Sequence, residues 1–299
     1  MADNLKFRED GTFTIVQLTD LHIGGDKDNE ADLRTLALVR AVLVEEKPDL
    51  IVYTGDLISS YGVADPLASF RRAIAPAVES GLPWAHVFGN HDAEESVTRE
   101  ELMAVARKHS ACYSQVGPKE LSGVGNYTLT IQGTQSGNAA AVLYFLDSGA
   151  MAPDSVGGYA WIQADQIHWY KQQSLAFRER SDAILPGLAF FHIPLPEYND
   201  VWKVGKVSGI KNEDVCCPKL NSGLFAAMAE MGDVMGTFVG HDHDNDFCGT
   251  LHEIRLCFGR VTGYNTYGGL PRGARVIRLQ EGERSFETWQ RLEDRSILR

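Results

Sequence analysis

The sequence predicts an α/β sandwich in which mixed β-sheets are flanked by helices. Three observations predict it. Short apolar runs rich in β-branched residues alternate with segments of helical periodicity through the first part of the chain, and strand-like runs dominate its end. Three successive predicted strands each close on a polar, ligand-type side chain. The chain is 299 residues long with 44% hydrophobic and 23% charged residues, enough to bury a full core in a fold class that often stays undivided at this size, so residues 1–299 are expected to form a single domain.

Residues 13–18 read as a buried strand that runs into Thr19-Asp20-Leu21-His22-Ile23-Gly24-Gly25. Residues 31–46 place Leu33, Leu36, Ala37, Val39, Leu43 and Val44 at helical spacing, and Pro48 stops the run. Residues 49–54 form the next buried strand, ending in Gly55-Asp56. An amphipathic segment over 66–79 leads through Gly81 and Pro83 to a strand at 84–88, which ends in Gly89-Asn90-His91-Asp92. A helix is expected over 98–108, then strands at 127–132 and 140–146 around a turn rich in Gly, Ser and Asn. Residues 147–160 read as a Gly- and Pro-rich loop, 165–177 as a helix, and 188–191 as a strand ending in His192-Ile193-Pro194. A long irregular segment should run to Leu220, followed by a helix within 221–231. Strands are expected at 234–239, 251–258, 274–279 and 285–289. No internal repeat, low-complexity tract or interdomain linker interrupts the pattern.

The formal net charge of -12 and pI near 5.2 argue against a broad basic surface for nucleic acid or an anionic membrane. An anionic substrate would need a locally positive site. Residues 1–10 carry charges and lack the apolar run of a signal peptide, and no stretch is long enough to span a bilayer, so a cytoplasmic protein is expected. The five cysteines, Cys112, Cys216, Cys217, Cys248 and Cys257, form neither an even framework nor a CxxC pair, and reduced thiols are their simplest state. The neighbours Cys216 and Cys217 have the further options of a soft-metal site or a strained disulfide.

Polar strand ends are where open α/β sheets bind ligands. Here they carry Asp20 and His22, Asp56, Asn90 and His91, His192, and His241 with His243 in Gly240-His241-Asp242-His243. Two imidazoles one residue apart on a turn can reach two neighbouring ions. A lone histidine is normally a core or surface residue, and His86, His109, His168 and His252 keep that reading. Asp244, Asn245 and Asp246 fit either a polar turn or groups behind the site. Tyr198, Asn199, Asn221, Arg260 and Tyr264 are candidate pocket donors.

The ordered set D-x-H, GD, GNHD, a lone His and GHDH resembles the calcineurin-like metallophosphoesterases. Phe190-Phe191-His192-Ile193-Pro194-Leu195-Pro196-Glu197-Tyr198 and Asn221-Ser222-Gly223-Leu224-Phe225 are similar to the branch that holds fungal cell-cycle phosphatases and plant purple acid phosphatase-like proteins. The resemblance implies a sandwich of two mixed β-sheets. It further implies that Asp20, His22 and His243 hold one metal, that Asn90, His192 and His241 hold a second, and that Asp56 bridges both. The mixed carboxylate, amide and imidazole donors suit two transition-metal ions, Mn, Fe or Zn, better than Mg or Ca. Two divalent ions bring four positive charges, and Asp20, Asp56 and a bridging hydroxide remove three, which leaves a cationic centre in an acidic protein.

The implied reaction is hydrolysis of a phosphate ester, a monoester first and a phosphodiester, cyclic nucleotides included, as the alternative; a metal-bound scaffold without turnover is the non-enzymatic alternative. His91 is the candidate general acid, and Asp92 is expected to accept its second N–H. True purple acid phosphatases place a tyrosine ligand three residues after the GD aspartate and lack the histidine of D-x-H. Here that position is Ser59 and His22 is present, so a purple ferric centre is not expected.

Overall fold

A computed structural model of the chain describes residues 5–135, 137–204 and 206–299. The expected alternation appears as β1 (Thr12–Leu18), α1 (Glu30–Glu46), β2 (Leu50–Thr54), α2 (Pro66–Ser80), β3 (Trp84–Val87) and α3 (Arg99–Ala106). The helix starts are set locally. The Asn29 side chain accepts from Asp32 N at the head of α1, Asp65 accepts from Ala68 N before Pro66 at the head of α2, and Thr98 with Glu101 closes a reciprocal cap on α3. The chain continues through β4 (Tyr127–Gln132), β5 (Ala139–Phe145), α4 (Ala164–Ser181), β6 (Gly187–Phe190), α5 (Glu197–Val204), β7 (Val207–Ser208), α6 (Leu224–Met231) and β8 (Val234–Val239). It closes with β9 (Cys248–Leu251), β10 (Ile254–Phe258), β11 (Gly273–Gln280), β12 (Phe286–Leu292) and β13 (Ile297–Leu298).

These strands build two mixed sheets, ordered β13-β12-β11-β1-β2-β3 and β4-β5-β6-β8-β10-β9-β7. Strands β1, β2 and β3 run parallel to one another, as do β5, β6, β8 and β10, while β11 is antiparallel to β1. Strand alternation sorts the apolar side chains into layers. Phe13 and Ile15 of β1 meet Leu143, Phe145, Leu188 and Phe190 of the other sheet in a core between the two sheets. Val16 and Leu18 face the opposite way and pack beneath α1, α2 and α3. Val142, Tyr144, Leu256 and Phe258 do the same for the second sheet beneath α4, α5 and α6. The expected sandwich of two mixed sheets flanked by helices is therefore the observed fold.

Three local expectations are corrected. The segment from Pro194 to Leu220 contains α5 and β7: Pro196 sits just before the helix start, where its missing N–H costs nothing, and Tyr198 and Val201 bury one short stripe. The strand predicted at 251–258 is a hairpin, because His252 (φ 45°) and Glu253 (φ 67°) both adopt the left-handed conformation of a two-residue turn without the Asn-Gly signature that marks one in sequence. Cys248 and Cys257 are not free thiols. They pair directly across β9 and β10 and form a disulfide, while Cys112, Cys216 and Cys217 remain free. Cysteine usage thus no longer supports a reducing compartment. Among the described residues no helix is long and apolar enough to cross a membrane.

Candidate metal centre

The C-terminal ends of β1, β2 and β3 lie side by side in one sheet, and those of β6 and β8 are neighbours in the other. Each of these five ends carries ligand-type side chains, so the two sheets deliver them to one place. Asp20 and His22 follow β1, Asp56 follows β2, Asn90 and His91 follow β3, His192 follows β6, and His241 and His243 follow β8.

The backbone at these ends is held in an unusual form. Asp20 (φ 55°), His22 (φ 49°), Asp56 (φ 50°) and His241 (φ 80°) all occupy the left-handed region, which costs a residue with a Cβ free energy and persists only where surrounding contacts enforce it. Those contacts are present: Asp20 N donates to Gly55 O, His22 N to Asp56 O and Gly240 N to His192 O. Close approach also excludes larger residues. A Cβ on Gly89 would stand 2.1 Å from Asp56 Oδ1, and one on Gly55, itself at φ +96°, 2.5 Å from His192 Nδ1.

The buried side chains form two groups, Asp20, His22 and His243, and Asp56, His192 and His241, each with ligand atoms close enough to hold one metal ion. In the first, His243 Nε2 is 3.4 Å from Asp20 Oδ1 and 3.3 Å from His22 Nε2. In the second, His192 Nε2 is 3.1 Å from Asp56 Oδ2, 3.1 Å from Asn90 Oδ1 and 3.3 Å from His241 Nδ1. Asp56 Oδ2 also lies 3.7 Å from His22 Nε2. One carboxylate oxygen therefore faces both groups.

The outer ring nitrogens of His192, His22 and His243 are tied down, which fixes which nitrogen points inward. His192 Nδ1 donates to Thr54 O at 2.8 Å, leaving Nε2 bare in the neutral ring. His22 Nδ1 pairs with Ser59 Oγ at 2.9 Å and His243 Nδ1 with Thr266 Oγ1 at 2.8 Å. Burial pushes His22 down to about 4 and His241 to about 3, so both are neutral donors as metal ligation requires. Burial opposes a charge on His192 as well, but the adjoining Asp56 carboxylate outweighs it and lifts the ring to about 9. That pull is the signature of a cluster with more negative charge than its own side chains offset. The donor set and its inward lone pairs fit a pair of metal ions.

His91 stands at the rim. Its side chain is 44% exposed, its backbone N donates to Asp56 Oδ1 at 2.8 Å, and its ring centre is 5.3 Å from that of His22. Its expected partner is corrected: Asp92 does not reach the ring. The buried Asp92 carboxylate accepts instead from the backbone amides of Asp56, Ile58 and Gly89, stapling the loop after β2 to the loop after β3. The group on His91 Nδ1 is Glu94 Oε1, at 2.8 Å. The sequence signal for it is the three-residue spacing His91-x-x-Glu94, which the adjacent Asp92 masks.

Other groups at the centre have no local signature. Tyr159 meets the His241 ring edge-on at 4.2 Å, and Tyr267 stacks on His243 at 4.1 Å. Arg99 ion-pairs with Asp147 and donates to Gly89 O and Gly149 O, bracing the loop that carries Asn90. Several candidate donors turn away: Tyr198 is buried against Thr237, Arg260 is paired with Asp246, Asn221 bonds Glu197 and Tyr264 bonds Glu293. His86 lies in the core between the Phe70, Trp84 and Phe88 rings.

Comparison with known proteins agrees with this geometry. A family model described as calcineurin-like phosphoesterase matches residues 13–245. A protein of Arabidopsis thaliana named probable inactive purple acid phosphatase 29 is 37% identical over 332 residues, covering 98% of this chain and 85% of that protein. Phosphatase DCR2 of Saccharomyces cerevisiae is 34% identical over 329 residues, covering 97% of this chain and 55% of the yeast protein. Among solved structures, a dimetal phosphatase from Danio rerio superposes with a TM-score of 0.59 at 14% identity over 92% of this chain and 98% of that one, a likeness of fold.

Proposed function

The chain belongs to the calcineurin-like phosphoesterase family, and we propose that it is a two-metal hydrolase acting first on phosphate monoesters. The observation that carries this reading is the single Asp56 oxygen set 3.1 Å from His192 Nε2 and 3.7 Å from His22 Nε2, flanked by a filled set of ligand positions on either side. Two Mn, Fe or Zn ions held there would supply Lewis acidity and positive charge to a phosphoryl group.

The chain's own residues have separate tasks. Asp56, with its backbone locked by Asp92, fixes the separation of the two groups. Thr54 O, Ser59 and Thr266 keep the inner nitrogens of His192, His22 and His243 aimed inward. His91 gives Nδ1–H to Glu94, and in its protonated form carries the transferable proton on Nε2. Burial lowers its affinity for that proton, but the Asp56 and Glu94 carboxylates outweigh burial and hold the ring above its ordinary value. A partly exposed imidazole beside the centre is suited to protonate a leaving-group oxygen.

Ser59 supports a non-purple site, since its hydroxyl serves His22 where a purple acid phosphatase places its tyrosine. The word "inactive" in the name of the Arabidopsis relative raises the alternative of a metal-bound scaffold without turnover. Retention of the whole ligand set with His91 and Glu94 supports catalysis over that alternative. Initial rates on aryl phosphate monoesters and diesters, with protein loaded in turn with Mn, Fe and Zn, test the proposal. Faster monoester hydrolysis is expected; a clear diester preference would reverse the substrate order, and bound metal without turnover on either would favour the scaffold.

A further inference from the structure

The inward faces of the two sheets are largely apolar, but across β10, β11 and β12 they turn cationic. Arg255 of β10 points into the space between the sheets, its guanidinium 5.3 Å from the centre of the Phe286 ring. From the facing sheet come Arg275 of β11 and, on β12, Thr288 and Gln290; Gln290 lies directly opposite Arg275 in the ladder. With Ser208 and Arg299 these groups line a cavity of about 230 Å³. That is smaller than the roughly 300–1,000 Å³ of sites for drug-sized ligands, and Arg255, Arg275 and Arg299 bring guanidiniums to its lining.

The charges there do not balance. Asp246 is the carboxylate of the cluster, and both of its oxygens are engaged, one by Arg260 and one by Ile210 N. Arg275 is 4% exposed, yet its donors go to uncharged acceptors: Phe258 O, Asp246 O and the Thr288 hydroxyl. Arg255 makes no ion pair among the described residues. Burial pulls its guanidinium down with no carboxylate to offset the effect; burial also brings Arg275 to about 9, against the opposing pull of the Asp246 carboxylate. A protein of net charge -12 thus sets Arg255, Arg260 and Arg275 around one side-chain carboxylate, that of Asp246. Buried charges are ordinarily paired, and the guanidinium fork matches an oxyanion.

We propose that this cavity between the sheets is a binding site for a small oxyanion of the phosphate type, held by the guanidiniums of Arg255 and Arg275. The site is separate from the metal centre and takes no part in ester cleavage. Its tie to the centre is through the chain: Asp246, whose carbonyl accepts from Arg275, follows the His243 turn by three residues.

Calorimetric titration with inorganic phosphate, at constant ionic strength set with chloride, tests the proposal. Asp56→Asn weakens the metal centre, so phosphate binding that persists in this variant reports the second site. Adding Arg255→Gln to it should weaken that binding by about tenfold or more, while Arg255→Gln alone should hydrolyse esters at the wild-type rate. In the wild-type protein, phosphate should also shield Arg255 from modification by phenylglyoxal where chloride does not, a readout independent of whether the variants fold. No phosphate binding in Asp56→Asn, binding unaffected by Arg255→Gln, or equal modification of Arg255 in phosphate and chloride would each overturn the site. None of these results bears on the metal-centre reading, which stands or falls on metal content and ester turnover.

Discussion

Two acidic residues, one and three positions after His91, have opposite roles in the loop after β3. Asp92 is buried and spends its carboxylate on three backbone amides; Glu94 sits at the rim and spends one oxygen on the His91 ring. An amide left buried without an acceptor costs roughly 1–3 kcal/mol. Asp92→Ala should therefore lower stability by about 3 kcal/mol or more and loosen metal binding, measured by denaturant unfolding and metal content. Glu94→Gln should leave stability and metal content unchanged and reduce the rate by about 10- to 100-fold, most for substrates with poor leaving groups. Equal losses on good and poor leaving groups, or the two variants exchanging phenotypes, would refute this division.

The contrast also explains what could be read from the chain. Asp20, His22, Asp56, Asn90, His192, His241 and His243 were legible because each motif is a few contiguous residues at a strand end. Ser59 on His22, Thr266 on His243 and Tyr159 on His241 were not, since each contact joins distant loops and a lone Ser, Thr or Tyr in a loop is ordinarily there for solvation. The expectation for Asp92 fails for a related reason: adjacency along the chain says nothing about which way a turn sends a side chain.

At the scale of elements, β-structure late in the chain departs furthest from its sequence signals. The β9–β10 hairpin turns on two left-handed residues without a glycine, so periodicity merges it into one strand. Its strands are joined by Cys248–Cys257, deep in the core between the sheets. Alkylation of the protein unfolded without reductant should label three thiols, Cys112, Cys216 and Cys217, and five only after reduction; five labels without reductant would show the pair to be open. By contrast α1, α2 and α3 were legible because caps and apolar spacing agree, with Asn29, Asp65 and Thr98 each closing a helix start.

For the whole molecule, the sandwich is what makes a shared site possible, since ligands arrive from five strand ends in two sheets whose own core is apolar. The same core imposes a pH limit. His86 is fully buried, and burial pushes its ring down to about 3. Above its ordinary value neither the folded nor the unfolded chain binds a proton there, so His86 does not affect stability. As pH falls below about 6.5 the unfolded chain takes up a proton that the folded chain refuses, and stability drops by up to about 1.4 kcal/mol per pH unit. Denaturant midpoints between pH 7 and pH 4.5 should therefore decline less steeply in His86→Gln than in the wild type; parallel declines would show that His86 does not contribute.

The two groups of ligands and the Asp56 oxygen between them make metal stoichiometry the most direct test of the account. Elemental analysis of protein purified without chelators should find two transition-metal ions per chain, with the count reduced in Asp56→Asn. A wild-type chain that binds one ion or none after loading, or an Asp56→Asn chain that retains both, would contradict a two-metal centre bridged by Asp56.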